Sequence, residues 1–292
     1  MDMKKNISIT ILLLAIVSIT GCATLPVFMD RPSVANNIAN KAGFIKEYIK
    51  ADNFTLMTYQ KLNKHSDSIR IYIEGDGRAW ENKHKISLDP TPSNPVALKL
   101  AAVDPADNVA YIARPGQYSL SGLPECNSKY WSGSRFAPEV VESFNKAVDI
   151  LKEKSGAKDV ELVGYSGGGA IAVLVAARRS DVIALRTVAG NLNTKALSEY
   201  HHVSQLDGSM NPMDVAQKVA HIPQRHFVGL KDKVIPSIIA ESFVKMKGDK
   251  DYTCITVVEG VSHNDGWDRS WKELLLMSLC AKNAPNLYRN NR

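Results

Sequence analysis

Gly164-Tyr165-Ser166-Gly167-Gly168 sets one serine among glycines, after the short apolar run Val160-Glu161-Leu162-Val163 and before the small-residue run 168–177. The first run reads as a buried parallel strand and the second as a helix able to pack close to a sheet. A sharp turn between them forces the central residue into a strained backbone conformation, and the neighbouring glycines remove Cβ clashes. The strain exposes the Ser166 hydroxyl and sets the first helical N–H groups beside it, where negative charge develops as a hydroxyl attacks an acyl carbon. The chemistry is nucleophilic catalysis. The same pentapeptide in a plain Gly-rich turn would be inert, and the strand before and helix after separate the two readings.

Such a serine needs a base to take its proton and a carboxylate to orient that base, and in a strand–elbow–helix setting the acid comes first in the chain and the histidine last. Arg225-His226-Phe227-Val228-Gly229-Leu230 reads as a buried strand running into Lys231-Asp232, so Asp232 falls past a strand's carboxyl end, where open α/β sheets carry their sites. The competing acids are Asp207, before a glycine in a turn, Asp249 and Asp251 in a charged loop, and Glu259. Of seven histidines, His65 and His84 precede Ser166, His201 and His202 lie in a polar connector, and His221 and His226 sit before or inside a strand. His263 follows the last strand, Tyr252 to Val258, in a Gly-flanked loop, and is the expected base. For the oxyanion, one donor is expected at the Gly167 N–H. The second is expected in the loop after the alternating strand Ser68 to Glu74: the Asp76 N–H in Glu74-Gly75-Asp76-Gly77, with Gly77 as the alternative.

Ser166, Asp232 and His263 with the 74–77 loop resemble the α/β-hydrolase fold. More narrowly, the chain resembles a group of bacterial α/β-hydrolase lipoproteins of uncharacterised activity. The stretches that carry this are Tyr72 to Gly77, Ala113-Arg114-Pro115, Tyr130-Trp131, Arg135 to Val141 and His263-Asn264-Asp265-Gly266-Trp267, spanning most of the chain from about residue 55. The resemblance implies hydrolysis of an ester or related acyl bond and carries no substrate with it. Relatives are expected to hold a Cys in the Arg-Pro-x-Gln segment, where this chain has Gly116, so a disulfide made by that Cys is not expected here. Many relatives carry His-Gly-x where this chain has Glu74-Gly75-Asp76.

Lys4 and Lys5 followed by the apolar stretch Ile7 to Ile19 read as a secretory signal, too short to span a bilayer. Ile19-Thr20-Gly21-Cys22 resembles a lipobox, in which the Cys is lipidated and becomes the new N-terminus. Ala23, rather than Asp, after it agrees with outer-membrane sorting in Gram-negative cells. The expected organisation is a signal peptide over 1–21, a polar tether over 22–50 with a short helix through Ile45 to Lys50, and one α/β domain over 51–292. The expected place is the bacterial cell envelope, anchored by lipid and facing the periplasm.

The 292 residues are 45% hydrophobic and 23% charged, with a formal net charge of +6, as suits one large core. No basic stripe with interleaved aromatics suggests nucleic acid. No metal-ligand spacing is present, and no cofactor is expected. Beyond Cys22, Cys126, Cys254 and Cys280 leave one possible bridge and one odd thiol. Cys254 is read on a strand and Cys280 on the following helix, and the sequence does not choose the pair.

Alternating elements give a mostly parallel sheet covered on both faces: strands at Phe54 to Leu62 (an edge), Asn108 to Ala113 and Val182 to Val188, and helices at Pro138 to Lys154, Pro236 to Lys247 and Trp267 to Ala281. The connector of about 35 residues between the strands near Val188 and Phe227 leaves room for a small cap, and Gln117 to Phe136 offers Tyr118, Tyr130 and Trp131 as pocket wall or as core. The partner expected is a small or medium acyl substrate. Against this esterase stand an amidase or peptidase with the same triad and a non-catalytic envelope scaffold.

Overall fold

Eight strands form the sheet in a computed structural model that describes residues 30–63, 65–82, 84–119, 127–247 and 252–280. Their order is β1-β2-β6-β3-β7-β8-β9-β10. β1 (Ile45–Ala51) and β2 (Phe54–Leu62) are an antiparallel hairpin, β2 is antiparallel to β6 (Asn108–Ile112), and all remaining pairs are parallel. These are β3 (Ser68–Ile73), β7 (Asp159–Tyr165), β8 (Val182–Val188), β9 (Gln224–Gly229) and β10 (Thr253–Val258). A separate two-stranded ribbon, β4 (Trp80–Asn82) and β5 (Lys85–Ile86), stands in the loop after β3.

Strand residues alternate between two cores. Ile69, Ile71 and Ile73 of β3 face α3 (Pro138–Ser155), α4 (Gly167–Ala176), the 3-10 helix Pro212–Val219 and α6 (Ser237–Lys247), while Tyr72 and Tyr111 face α1 (Arg31–Lys41), α2 (Val96–Ala102) and α7 (Trp267–Leu276). α4 is buried along its whole length, which its run of Gly, Ala, Val, Ile and Leu permits. Burial on both faces explains why β7 reads as an apolar run rather than an alternating one.

Three expectations are corrected. Ile45–Ala51, expected within a tether and as a short helix, is strand β1 on the sheet's edge, and the described fold begins with helix α1. Apolar residues at 45, 48 and 49 fit helical spacing as well as a strand, and only the turn at Asp52, with φ +49°, folds them back onto β2. β2 is therefore the second strand and not the edge. The closing helix stops at Leu276, because Met277 is extended and the chain returns to the sheet, where Cys280 bridges Gln224 and the Arg225 guanidinium holds the Ser278 carbonyl.

Cys280, expected on that helix, lies beyond it and is disulfide-bonded to Cys254 on β10, with Cα atoms 5.8 Å apart. Cys22 and Cys126 lie outside the described residues. Closing a loop of 26 residues restricts the unfolded chain and contributes about 3 kcal/mol. Cys280→Ser is expected to lower Tm by roughly 10 °C under oxidising conditions and by nothing when both proteins are reduced, as calorimetry would read.

Candidate active site

β7 ends at Tyr165 and α4 starts at Gly167, so Ser166 occupies the whole turn between them. Its φ of +51° and ψ of −120° lie where non-glycine residues are rarely found. The turn is held from three sides: the Ser166 N–H donates to the Val188 carbonyl at 3.0 Å, and the Ser166 carbonyl accepts from the Gly169 N–H at 3.0 Å and the Asn191 N–H at 2.9 Å. Strand and helix meet so closely that a Cβ on Gly164 would stand 2.3 Å from the Gly168 carbonyl oxygen.

His263 lies in the loop between β10 and α7, and Asp232 in the loop after β9. The structure brings both to Ser166. His263 Nε2 is 3.1 Å from Ser166 Oγ, and His263 Nδ1 is 2.8 Å from Asp232 Oδ2. An ionised carboxylate only accepts, so the contact assigns the imidazole proton to Nδ1 and leaves Nε2 to accept from the hydroxyl. Asp232 is itself fixed, since its Oδ1 accepts from the Val234 and Ile235 N–H groups at 2.8 and 2.9 Å.

The His263 backbone is held by groups that sequence reading did not single out. Its carbonyl accepts from the Tyr165 hydroxyl and the Trp267 indole N–H, each at 3.0 Å. Burial first, and then nearby carboxylates, push the Tyr165 hydroxyl well above its ordinary pKa, so it remains a donor. A residue adjacent to the serine thus ties the serine turn to the histidine loop. Trp267 stood in the quoted stretch after His263, but nothing in its type disclosed this contact.

The loop after β3 lies against the serine turn. A Cβ on Gly75 would sit 3.0 Å from Ser166 Cβ, and one on Gly167 would sit 2.1 Å from Asp76 Oδ1. The N–H groups of Gly167 and Asp76 have no intramolecular acceptor among the described residues, whereas the Gly75 N–H is taken by Glu74 Oε1 at 3.0 Å. Gly77 packs instead against the Pro90 carbonyl and the Gln117 amide. Gln117 Nε2 donates to the Gly75 carbonyl at 2.9 Å, and Gln117 Oε1 accepts the Arg114 N–H at 3.1 Å.

The carboxylate of Asp76, whose N–H is the expected second donor, is neutralised. Asp76 pairs with Arg135 Nη1 at 2.6 Å and with Arg114 Nη1 at 3.2 Å. Burial raises the Asp76 carboxyl, but the two guanidinium groups outweigh it and hold the group below the usual carboxylate range. Arg114 is buried, and burial brings its guanidinium down to about 10 even with Asp76 opposing. It stacks 5.2 Å from the Phe136 ring centroid and 5.9 Å from that of Phe144. Gly116 has φ +84°, and a Cβ there would stand 2.6 Å from the Trp131 ring, so the position at which relatives were expected to carry Cys has no room for a side chain.

Glu74 is a buried acid behind this loop. Its Oε1 also accepts from the Ala97 N–H at 3.3 Å, and burial pushes its carboxyl up to about 7. Because this folded value lies above the ordinary 4.5, the group's effect is absent below pH 4.5, and stability falls as pH rises from there to about 7. Its share of that fall is about 3 kcal/mol. Glu74→Gln is expected to flatten that part of the stability–pH curve, and urea titrations of both proteins across the window would show it.

Ser166, His263, Asp76, Trp80, Arg135 and Val234 are among the residues lining a cleft of about 620 Å³. The connector between β8 and β9 carries α5 (Thr194–Tyr200) and the 3-10 helix Pro212–Val219, whose Val215, Ala216 and Val219 join the core, and none of its residues lines this cleft. Tyr130 packs edge-on to Phe54, and Trp131 is buried beside Gly116. Of the competing acids, Asp207 and Glu259 are exposed, while Asp249 and Asp251 lie outside the described residues. Among the described residues no group of three His, Cys, Asp or Glu side chains could hold a metal ion.

No family model and no curated protein matches the chain. Solved structures do. Est1E from Butyrivibrio proteoclasticus with ferulic acid bound superposes with a TM-score of 0.57 at 16% identity, covering 79% of this chain and 98% of that one. An alpha-beta serine hydrolase homologue from Coxiella burnetii gives 0.54 at 18% identity, over 79% and 93% of the two chains. A putative lipase from Acinetobacter baumannii gives 0.58 at 12% identity, over 87% and 95%. The sheet order, the serine turn between β7 and α4, and these likenesses together show that the chain has the α/β-hydrolase fold.

Proposed function

We propose that the chain is a serine hydrolase that cleaves an ester bond through an acyl-enzyme on Ser166, and that it works at the bacterial cell envelope, held by lipid on Cys22. The observation that carries the catalytic reading is the hydrogen-bonded series Ser166 Oγ, His263 Nε2, His263 Nδ1, Asp232 Oδ2 on a strained turn. Folding has no need of these three side chains in contact at three loop ends.

In this reading Ser166 Oγ attacks the acyl carbon as its proton passes to His263 Nε2. Asp232 stabilises the imidazolium that forms. The tetrahedral oxyanion is received by the free N–H groups of Gly167 and Asp76. Collapse breaks the bond to the leaving alcohol, which takes the proton from His263, and water repeats the sequence to release the acid and regenerate Ser166. The cleft volume suits a small or medium acyl group. A serine hydrolase homologue and a putative lipase of similar fold support the same chemistry. A fluorophosphonate probe is expected to label the wild type stoichiometrically and to leave Ser166→Ala unlabelled. Absence of labelling in a folded wild-type sample would sink the proposal.

A further inference from the structure

We infer that the mouth of the cleft docks on an anionic lipid surface, so that Ser166 opens toward the membrane that receives the Cys22 anchor; the inference rests on that proposed anchor.

The first support is where the chain enters the fold. Arg31, in the first turn of α1, donates to the Asp89 and Thr91 carbonyls at 3.1 and 2.7 Å and pairs with the Asp89 carboxylate at 2.7 Å. The next residues of that loop, Pro92, Ser93 and Asn94, line the cleft. Cys22 stands eight residues before Asp30, a span of at most about 29 Å when fully extended. A domain of this size is about 45 Å across. An anchor at Cys22 therefore holds the cleft side next to the bilayer and is too short to let the opposite side face it.

The second support is the chemistry of that side. Trp80 and Val234, both lining the cleft, are 41% and 46% exposed, and Leu88, next to Asp89, is 88% exposed. Leu230, in the same loop after β9 as Val234, and Ile238, in the first turn of α6, are also exposed apolar side chains. Arg78, Lys231 and Lys233 are exposed in the same loops, while the acids Glu81 and Asp89 are already paired with Lys85 and Arg31. Asp265 is an exposed acid that also lines the cleft. Apolar side chains bordered by cations are what an anionic bilayer interface takes up: the apolar groups enter the acyl boundary and the cations meet the headgroups.

The test uses the lipidated full-length protein on vesicles of equal parts phosphatidylcholine and phosphatidylglycerol. Trp80 is a selective probe, because Trp131, Trp267 and Trp271 are at most 5% exposed. Brominated phosphatidylcholine in the vesicles is expected to quench the emission of bound wild type and to leave that of Trp80→Phe unchanged. Protein that floats with the vesicles but is not quenched would overturn the docking while sparing the anchor. Wild type that does not float would overturn the anchor and the docking with it. Neither readout needs catalysis, so both stand apart from the hydrolase proposal. A second measurement uses Leu88→Glu and Ile238→Glu, neither of which lines the cleft. They are expected to keep wild-type rates on a soluble short-chain ester and to lose about tenfold on a vesicle-embedded ester; equal rates on both substrates would overturn the proposal.

Discussion

Ser166→Ala, His263→Ala and the double variant are expected to lose the same amount of kcat on a soluble chromogenic ester, about 10⁵- to 10⁶-fold. The equality is the informative part. His263 Nε2 touches Ser166 Oγ at 3.1 Å and has no other hydrogen-bond partner among the described residues, so without the serine the base has nothing to deprotonate, and without the base the hydroxyl stays a weak nucleophile. Asp232→Ala removes only the group that fixes the Nδ1 proton and stabilises the imidazolium, and its loss is expected to be smaller, about 10⁴-fold. Circular dichroism should find all four variants folded, and Asp232→Ala is expected to melt earlier than the others because Asp232 also receives the Val234 and Ile235 N–H groups. Losses that multiply between Ser166 and His263 would contradict a single catalytic unit.

Asp76→Ala is expected to cost about 3 to 5 kcal/mol of stability, the usual consequence of leaving a buried cation without its counter-ion. The cation is Arg114, which is almost fully enclosed and stacked on Phe136 and Phe144, so it cannot turn to water. The same variant frees the loop that presents the Asp76 N–H, and kcat is expected to fall about 10²-fold further than the lost stability explains. Pairing Asp76→Leu with Arg114→Met should recover much of the stability, because the uncompensated charge is gone, and should leave the rate low. A double variant that recovered both would mean that the ion pair has no part in placing the N–H. The pairing also has a pH signature. Since the Asp76 carboxyl is held below its ordinary 3.8, its stabilisation is complete above that pH and is lost as pH falls through the depressed value.

Much of this was legible because it is local or ordered along the chain. The serine turn could be read from Gly164 to Gly168, since a strand, a turn and a helix each leave a pattern within ten residues, and the observed β7 and α4 lie where those patterns fall. Asp232 and His263 stood out through their positions just past strands β9 and β10, because a parallel sheet delivers such loops to one edge. The two-faced sheet followed from the alternation of strand and helix. What the sequence left open needed long-range contact. Helical and extended spacing cannot be told apart in Ile45–Ala51 until β2 lies beside it. Which cysteine meets Cys254 depends on where the chain goes after α7, and that is decided by the bridge from Cys280 to Gln224, 56 residues away in sequence. The partners of Asp76 come from positions 114 and 135, and the groups that steady His263 from 165 and 267, because side chains far apart in sequence meet only once packing has chosen their rotamers. The amino-acid sequence alone therefore determined the central elements around the serine turn, through short-range periodicity, and the chain order of Ser166, Asp232 and His263. The neutralised Asp76 carboxylate, the fixed imidazole and the disulfide were decided by the tertiary structure, since burial and charge pairing exist only between segments that folding has brought together.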